Sequence, residues 1–238
     1  MSKLPFKFKE FTVCQDQCAM KIGTDAVLLG AWASLKNTPN SILDIGTGTG
    51  VLALQLAQRS DAELIDALEI DENAHVQAVE NFENSIWADR LFCYHASLHE
   101  FTEEIDDTYD LIISNPPYYS DTFETENEAR NKARFTSSLS FKELIDAVSK
   151  LLSKNGTFSV IIPYKEETNF ITLASKVHLF LTRRCNVQGS PTADIKRSLL
   201  EFSHQQTSID TSTLIIELAR HQYTQAYQDL VSPFYLKM

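Results

Sequence analysis

No apolar run in this chain approaches the roughly 20 residues that a membrane-spanning helix needs, so no bilayer span is expected. Cysteine is scarce: Cys14, Cys18, Cys93 and Cys185 form no paired C-x-x-C set. That leaves a disulfide scaffold without its framework and a zinc site without enough ligands, and no metal is expected. The N-terminal segment lacks the apolar core of a signal peptide, so the expectation is a cytoplasmic protein with reduced thiols. Basic residues are outnumbered, 21 Lys and Arg against 32 Asp and Glu, for a formal net charge of −11. Total charge therefore argues mildly against a nucleic-acid partner, because phosphate binding needs Lys and Arg. Local clustering argues the other way. Lys3, Lys7, Lys9 and Lys21 form a basic N-terminal segment, Arg130, Lys132 and Arg134 a second cluster, and Lys196-Arg197 a third. Repeats and low-complexity linkers are also absent.

Glycine is sparse as well, yet three of the seven fall within five residues. Ser41-Ile42-Leu43-Asp44-Ile45 is an apolar, strand-like run ending near an acid, followed by Gly46-Thr47-Gly48-Thr49-Gly50 and then a helical pattern from Val51. Residues without a Cβ let the backbone turn tightly and approach a ligand closely, and such strand-to-helix turns bind nucleotides in doubly wound folds. The spacing is G-x-G-x-G rather than G-x-G-x-x-G, and a pyrophosphate has no use for Asp44. A cationic ligand does. S-adenosylmethionine, with its amino group and sulfonium, is the first candidate.

From Ser41 onward strands and helices alternate: strands at 42–45, 64–70, 91–95, 109–114 and 157–162, helices at 51–58, 72–84, 141–152 and 165–176. Alternation of this kind predicts a mostly parallel, seven-stranded α/β sheet with helices on both faces and right-handed crossovers. The tail changes character. Segments 178–188 and 197–205, joined around Gly189-Ser190-Pro191, read as an antiparallel hairpin; 214–218 reads as a further strand and 222–231 as a last helix. Near the start, Thr24 reads as the N-cap of a buried helix. The chain reads as one domain over 1–238: an N-terminal lid segment at 1–36, a cofactor-binding core at 41–176, and the hairpin with its helix at 177–238. A monomer is the default expectation.

Ligands of such sheets bind beyond the carboxyl ends of the strands. Two further features fall there. Glu69 ends the second strand, nineteen positions after Gly50, where a carboxylate can accept hydrogen bonds from ribose hydroxyls. Asn115-Pro116-Pro117-Tyr118 follows the fourth strand directly. Two prolines fix two φ angles and remove two donors, so the loop is stiff and its carbonyls are left to accept. The Asn115 side-chain carbonyl and the Pro116 backbone carbonyl can each take one hydrogen of a planar NH2 group. Tyr118, with Tyr119 as a second ring, can stack on that plane.

Asp44-x-Gly-x-Gly-x-Gly, Glu69 and Asn115-Pro116-Pro117-Tyr118 together resemble class I S-adenosylmethionine methyltransferases that modify exocyclic or amide nitrogens. The run Phe8-Lys9-Glu10-Phe11 and Cys18-Ala19-Met20-Lys21-Ile22-Gly23-Thr24-Asp25 into Ala26–Trp32, with Ala133-Arg134-Phe135-Thr136 and the ending Phe234-Tyr235-Leu236, narrows this. It resembles the bacterial family that N6-methylates adenine 37, the base 3′ of the anticodon, in a valine tRNA. The resemblance covers essentially the whole chain. It implies the Rossmann-like methyltransferase fold, S-adenosylmethionine as cofactor and a tRNA anticodon loop as partner. Asn115, Pro116 and Tyr118 would be catalytic. Lys21, Thr24, Asp44, Gly46, Gly48, Gly50, Glu69 and Ile70 would hold the cofactor, with Asn115. Pro117, Tyr119, Arg130, Lys132 and Arg134 would meet the substrate. Many class I enzymes carry an Asp after the third strand for the cofactor adenine; here Ser97 stands in that region, with the Leu98 backbone N–H beside it. The Asn-Pro-Pro-Tyr loop suits a ribosomal RNA base or a protein glutamine amide as well as a tRNA adenine. A nicotinamide oxidoreductase is opposed by the glycine spacing, and a silent RNA-binding module by the intact acids and Asn115.

Overall fold

A computed structural model describes residues 4–117 and 139–237. Short strands β1 (Phe6–Lys7) and β2 (Thr12–Val13) pair antiparallel. Strands β3 (Ser41–Ile45), β4 (Leu64–Glu69), β5 (Leu91–His95), β6 (Tyr109–Ser114) and β7 (Leu152–Pro163) run parallel in the spatial order β5-β4-β3-β6-β7. Beyond β7 the sheet continues with β9 (Ile195–Ser203) and β8 (Phe180–Gln188), both in antiparallel pairing. An eighth strand, β10 (Asp210–Ile215), pairs in parallel along the outer edge of β8. The seven-stranded sheet expected from the sequence is thus eight-stranded, and the further strand read at 214–218 begins four residues earlier, at Asp210. Asp210–Thr213 are all exposed, so no hydrophobic alternation announces them; backbone pairing with Arg183–Asn186 creates the strand.

Both faces of the sheet are covered. Helices α1 (Thr24–Trp32), α2 (Val51–Arg59), α3 (Glu72–Glu83) and α7 (Gln225–Val231) contribute to one apolar cluster. Helices α4 (Leu98–Glu104), α5 (Phe141–Leu151) and α6 (Glu167–Lys176) contribute to the other. The strand period of two assigns residues to these clusters. Ile42, Leu111 and Ile113 point to the first; Leu43, Ile45 and Ile112 point to the second. Asp44, on the Ile42 side of β3, is thereby aimed at α2. Helix α1 is apolar all round and seven of its nine residues are buried, as a helix enclosed by protein should be.

The last helix begins at Gln225 rather than at 222, because Gln222–Tyr223 are extended, and boundaries at α1 and α5 also differ from the sequence reading. The N-cap of α1 is Gly23, extended and with no side-chain cap, so Thr24 is the first helical residue. Helix α5 ends at Leu151 and Leu152 already turns extended; Gly156 lies inside β7, where a Cβ would meet the Tyr109 carbonyl oxygen at 2.9 Å. Close strand approach, not a helix exit, is what that glycine serves.

Buried charge ties the C-terminal hairpin to the rest. Glu167 pairs with Arg184 at 2.9 Å and accepts from the Ser198 hydroxyl. Arg183 lies 3.9 Å over the Trp32 ring and donates to the Trp32 carbonyl. Arg197 bonds Asp25 at 2.7 Å, fixing the start of α1 to the carboxyl end of the sheet. The chain ends also meet: Phe8 bridges Tyr235, and Lys9 N–H donates to the Phe234 carbonyl at 2.9 Å.

Candidate active site

The chain leaves β3 to build β4 and β5 on one side, then crosses back to place β6 on the other. The reversal leaves a crevice between the carboxyl ends of β3 and β6, where ligands of open α/β sheets bind. The turn after β3 lines one side. Gly46, Gly48 and Gly50 have φ of 72°, 56° and 81°, a region that costs other residues roughly 1–2 kcal/mol. The turn is pinned to the next strand, because Gly46 and Thr47 N–H both donate to the Leu68 carbonyl, at 3.0 and 2.9 Å. A Cβ at Gly46 or Gly48 would meet nothing within 4 Å, whereas one at Gly50 would sit 2.5 Å from Phe82. The first two glycines face open space. The third lets α3 approach.

Asp44 lies beneath this turn and is fully buried. The Thr47 hydroxyl donates to its Oδ2, and its Oδ1 is buried without a hydrogen-bond partner. Burial pushes its carboxyl up to about 7 against the pull of the Thr47 hydroxyl and the Ala53 N–H. A carboxylate in this state is stabilised by any cation that enters the cleft.

Glu69 ends β4 half-buried, one strand over. Its Oε2 accepts the Gly48 N–H at 2.8 Å, and its Oε1 accepts the N–H groups of Ile70 and Asp71, both at 2.9 Å. These three donors aim the carboxylate back over the glycine turn. Ile70 follows it, 56% exposed. Asp71 caps α3 through the Ala74 N–H, as its position suggested. Ser97 and Glu100 form a capping box at the start of α4. The Ser97 hydroxyl donates to Glu100 Oε2 at 2.7 Å, and Leu98 begins the helix, where the first N–H groups have no intrahelical acceptor.

On the other side of the crevice, register pairs Ile45 with Ser114, and the buried Ser114 hydroxyl donates to the Ile45 carbonyl at 2.9 Å. Asn115 therefore leaves the sheet beside Gly46, half-buried, with Pro116 buried behind it and Pro117 half-buried. Lys21 and Thr24 are exposed at the approach to α1. Tyr118, Tyr119, Arg130, Lys132 and Arg134 lie outside the described residues. The described residues place the donor turn, Glu69 and Asn115 along one sheet edge, in the order β4, β3, β6.

The chain matches the methyltransferase small domain family over residues 21–178. It is 57% identical to the tRNA1(Val) (adenine(37)-N6)-methyltransferase of Christiangramia forsetii, covering all of both chains. The chain belongs to this methyltransferase family. It is 44% identical to the member of the same name from Bacteroides thetaiotaomicron, over 98% of each chain. Among solved structures, a predicted O-methyltransferase from Agrobacterium tumefaciens superposes with a TM-score of 0.68 at 20% identity. That match covers 88% of this chain and 96% of the other. Ribosomal protein L11 methylase from Lactobacillus delbrueckii subsp. bulgaricus gives 0.57 at 16%, over 80% and 83%. These two likenesses carry the fold.

The cofactor of this methyltransferase is S-adenosylmethionine, and the site fits it on two observations. The glycine cradle is open where a Cβ would otherwise stand, and the buried Asp44 Oδ1 lacks a partner, which suits a cationic ligand. Residues that the motifs alone did not single out also shape the site: Thr47, which holds Asp44, and Ser114, which joins β6 to β3. Each lies one residue from a motif position, and only strand register shows its role.

The glycines separate by experiment. Gly50→Ala is expected to unfold more readily than Gly48→Ala, because it adds a clash with Phe82 to the roughly 1–2 kcal/mol left-handed penalty that both share. Chemical denaturation of the two variants, with Phe82→Leu added to Gly50→Ala, measures the difference. Equal midpoints for Gly48→Ala and Gly50→Ala, or no recovery with Phe82→Leu, would show that helix approach does not require the glycine.

Proposed function

We propose that this protein transfers a methyl group from S-adenosylmethionine to N6 of adenine 37 in tRNA1(Val), acting as a monomeric cytoplasmic enzyme built from a single methyltransferase domain. The placement of Asn115 beside the glycine turn carries this reading: the acceptor loop and the donor cradle share one crevice. Full-length identity to relatives named for this reaction supports the substrate. Among the described residues no helix is long and apolar enough to cross a membrane, and all four cysteines are free.

Bound S-adenosylmethionine supplies an activated methyl on a positively charged sulfur that leaves readily, so no side-chain nucleophile is required. The chain's task is alignment and electrostatics. An adenine amino group is a poor nucleophile because its lone pair is delocalised into the ring. The Asn115 side-chain carbonyl and the Pro116 carbonyl each accept one amino hydrogen, which turns the lone pair out of the ring plane. The same dipoles stabilise the positive charge that develops on nitrogen. Alignment of this kind can supply roughly 7–11 kcal/mol of barrier reduction in favourable cases. Tyr118 stacks on the extruded base, a contact worth about 1–3 kcal/mol per base, and an anticodon loop releases a base more easily than a duplex does. Asp44, Gly46, Gly48 and Glu69 hold the cofactor, Glu69 through its ribose; Lys21, Thr24, Ile70, Ser97 and Leu98 complete that side.

Radiolabelled methyl transfer to total tRNA, ribosomal RNA and protein extract, with nucleoside analysis, tests the reading. N6-methyladenosine in the valine tRNA fraction is expected; label in methylated guanine, ribosomal RNA or glutamine would replace the substrate. Charge removal at Arg130, Lys132 and Arg134 should weaken tRNA binding and flatten its salt dependence, by about 0.7 in log–log slope for each phosphate that is no longer neutralised. An unchanged slope removes this cluster from the RNA site.

A further inference from the structure

The inward face of α3 carries two amides on an apolar stripe. Ala74, Gln77, Ala78, Asn81 and Phe82 follow i, i+3, i+4, i+7, i+8 spacing, and all are buried. Gln77 is 1% and Asn81 3% exposed. Buried amides are costly unless hydrogen-bonded, so their partners reveal their use. Asn81 Oδ1 accepts the Cys14 N–H at 2.8 Å. Its Nδ2 donates to the Cys14 carbonyl and to the Thr49 carbonyl inside the glycine turn, both at 2.9 Å. One helical turn earlier, Gln77 accepts the Gln17 N–H at 2.8 Å and donates to Asp16 at 3.0 Å. The Gln15 side chain accepts the Ile22 N–H at 3.0 Å and folds the segment back on itself. Cys18 lies within this segment, 9% exposed. Its thiol is pushed up to about 11, first by burial and then by the charges of Glu69, Asp71 and Asp16. Through Asn81, Cys14 at the head of segment 14–22 is tied to the Thr49 carbonyl of the glycine turn.

We propose that Gln77 and Asn81 are positioning residues for the cofactor: they hold segment 14–22 against the glycine turn as one wall of the cleft. This rests on the reading of the cleft as the S-adenosylmethionine site. Neither amide meets the reacting atoms. One helix face joins the turn to the segment, so the wall stands before the cofactor arrives and binding does not have to order it.

The test uses the full chain and S-adenosylhomocysteine, with calorimetry for affinity and mass spectrometry to follow iodoacetamide labelling of Cys18. In the wild type the ligand slows labelling of Cys18 and leaves the exposed Cys14 unchanged. Gln77→Met and Asn81→Leu keep volume and lose the hydrogen bonds. Each is expected to raise the dissociation constant by about tenfold, on the scale of one or two net hydrogen bonds. Each should also speed Cys18 labelling and raise KM for S-adenosylmethionine more than it lowers kcat. Should Asn81→Leu fail to fold, Gln77→Met decides, since its partners lie only in the segment. Wild-type affinity and labelling in the variants overturn the proposal alone. A wild type that does not bind the ligand overturns the cofactor reading and the proposal together.

Discussion

Asn115→Ala is expected to lower the single-turnover rate of methyl transfer by about 10²–10³, the effect of removing one preorganised electrostatic group, while cofactor binding is retained. The expectation comes from position. Asn115 follows Ser114, whose backbone is in register with Ile45 and whose hydroxyl is bonded to it. The backbone of Asn115 thus leaves a buried parallel strand pair next to the glycine turn. Pro116 and Pro117 stiffen the exit. On the proposed function, truncation would remove one of the two acceptors for the amino hydrogens and leave the glycine turn, Asp44 and Glu69 in place. Calorimetry with S-adenosylhomocysteine and quenched single-turnover assays on unmodified tRNA separate the two effects. A rate close to wild type would strip Asn115 of its role. Lost cofactor affinity with an unchanged rate would make it a cofactor ligand instead.

The second large effect is on pH. With its carboxyl raised from an ordinary 3.8 to about 7, Asp44 binds a proton more tightly in the folded chain than in the unfolded one. Its contribution to stability is present at low pH and is lost as pH rises from about 4 to about 7, by up to about 4 kcal/mol. The unliganded protein should therefore melt at a lower temperature at pH 7.5 than at pH 5.5, as far as this group is concerned. Asp44→Asn should remove that slope. Asp66 is also raised, chiefly by burial and against its bond from Tyr109, so the difference between wild type and variant isolates Asp44. Cofactor binding runs the other way. The ligand's amino group is cationic throughout pH 5–7, and it favours the carboxylate. Affinity should weaken as pH falls below about 7, approaching tenfold per pH unit if binding demands the ionised form, and Asp44→Asn should bind weakly and without that dependence. Melting and calorimetry at four pH values decide it. Equal slopes in wild type and variant would mean that Asp44 serves the turn's geometry and not its charge.

Much of the site was legible as types of residue at spacings. Gly46, Gly48 and Gly50 announce a turn because only glycine adopts left-handed φ so readily, and all three do. Glu69 and Asn115 could be placed at strand ends because each closes or follows an apolar, strand-like run. Ser140 and Glu143, three residues apart ahead of an apolar-periodic run, form a capping box. Where local chemistry was not decisive, the reading slipped. Thr24 is a good capping residue in isolation, but Gly23 takes that place with no side-chain cap. The strand Asp210–Ile215 is polar in four of its six positions and exists because β8 offers it an edge. Gln77 and Asn81 were not singled out, although their phase with Ala74, Ala78 and Phe82 was a usable signal; their partners lie 60 and 67 residues away along the chain.

By itself, the sequence determined the alternation of strands and helices, the donor turn and the stiff Asn115-Pro116-Pro117 exit, because each depends on backbone freedom or hydrophobic period over a few neighbouring residues. Only the tertiary structure decided that these two features share one crevice. That depends on the order in which strands pair: β4 and β5 are laid on one side of β3 and β6 on the other. It also decided the state of Asp44. A carboxyl's charge is set by the water and partners around it, and here α2, the glycine turn and the sheet exclude the one and leave Oδ1 without the other.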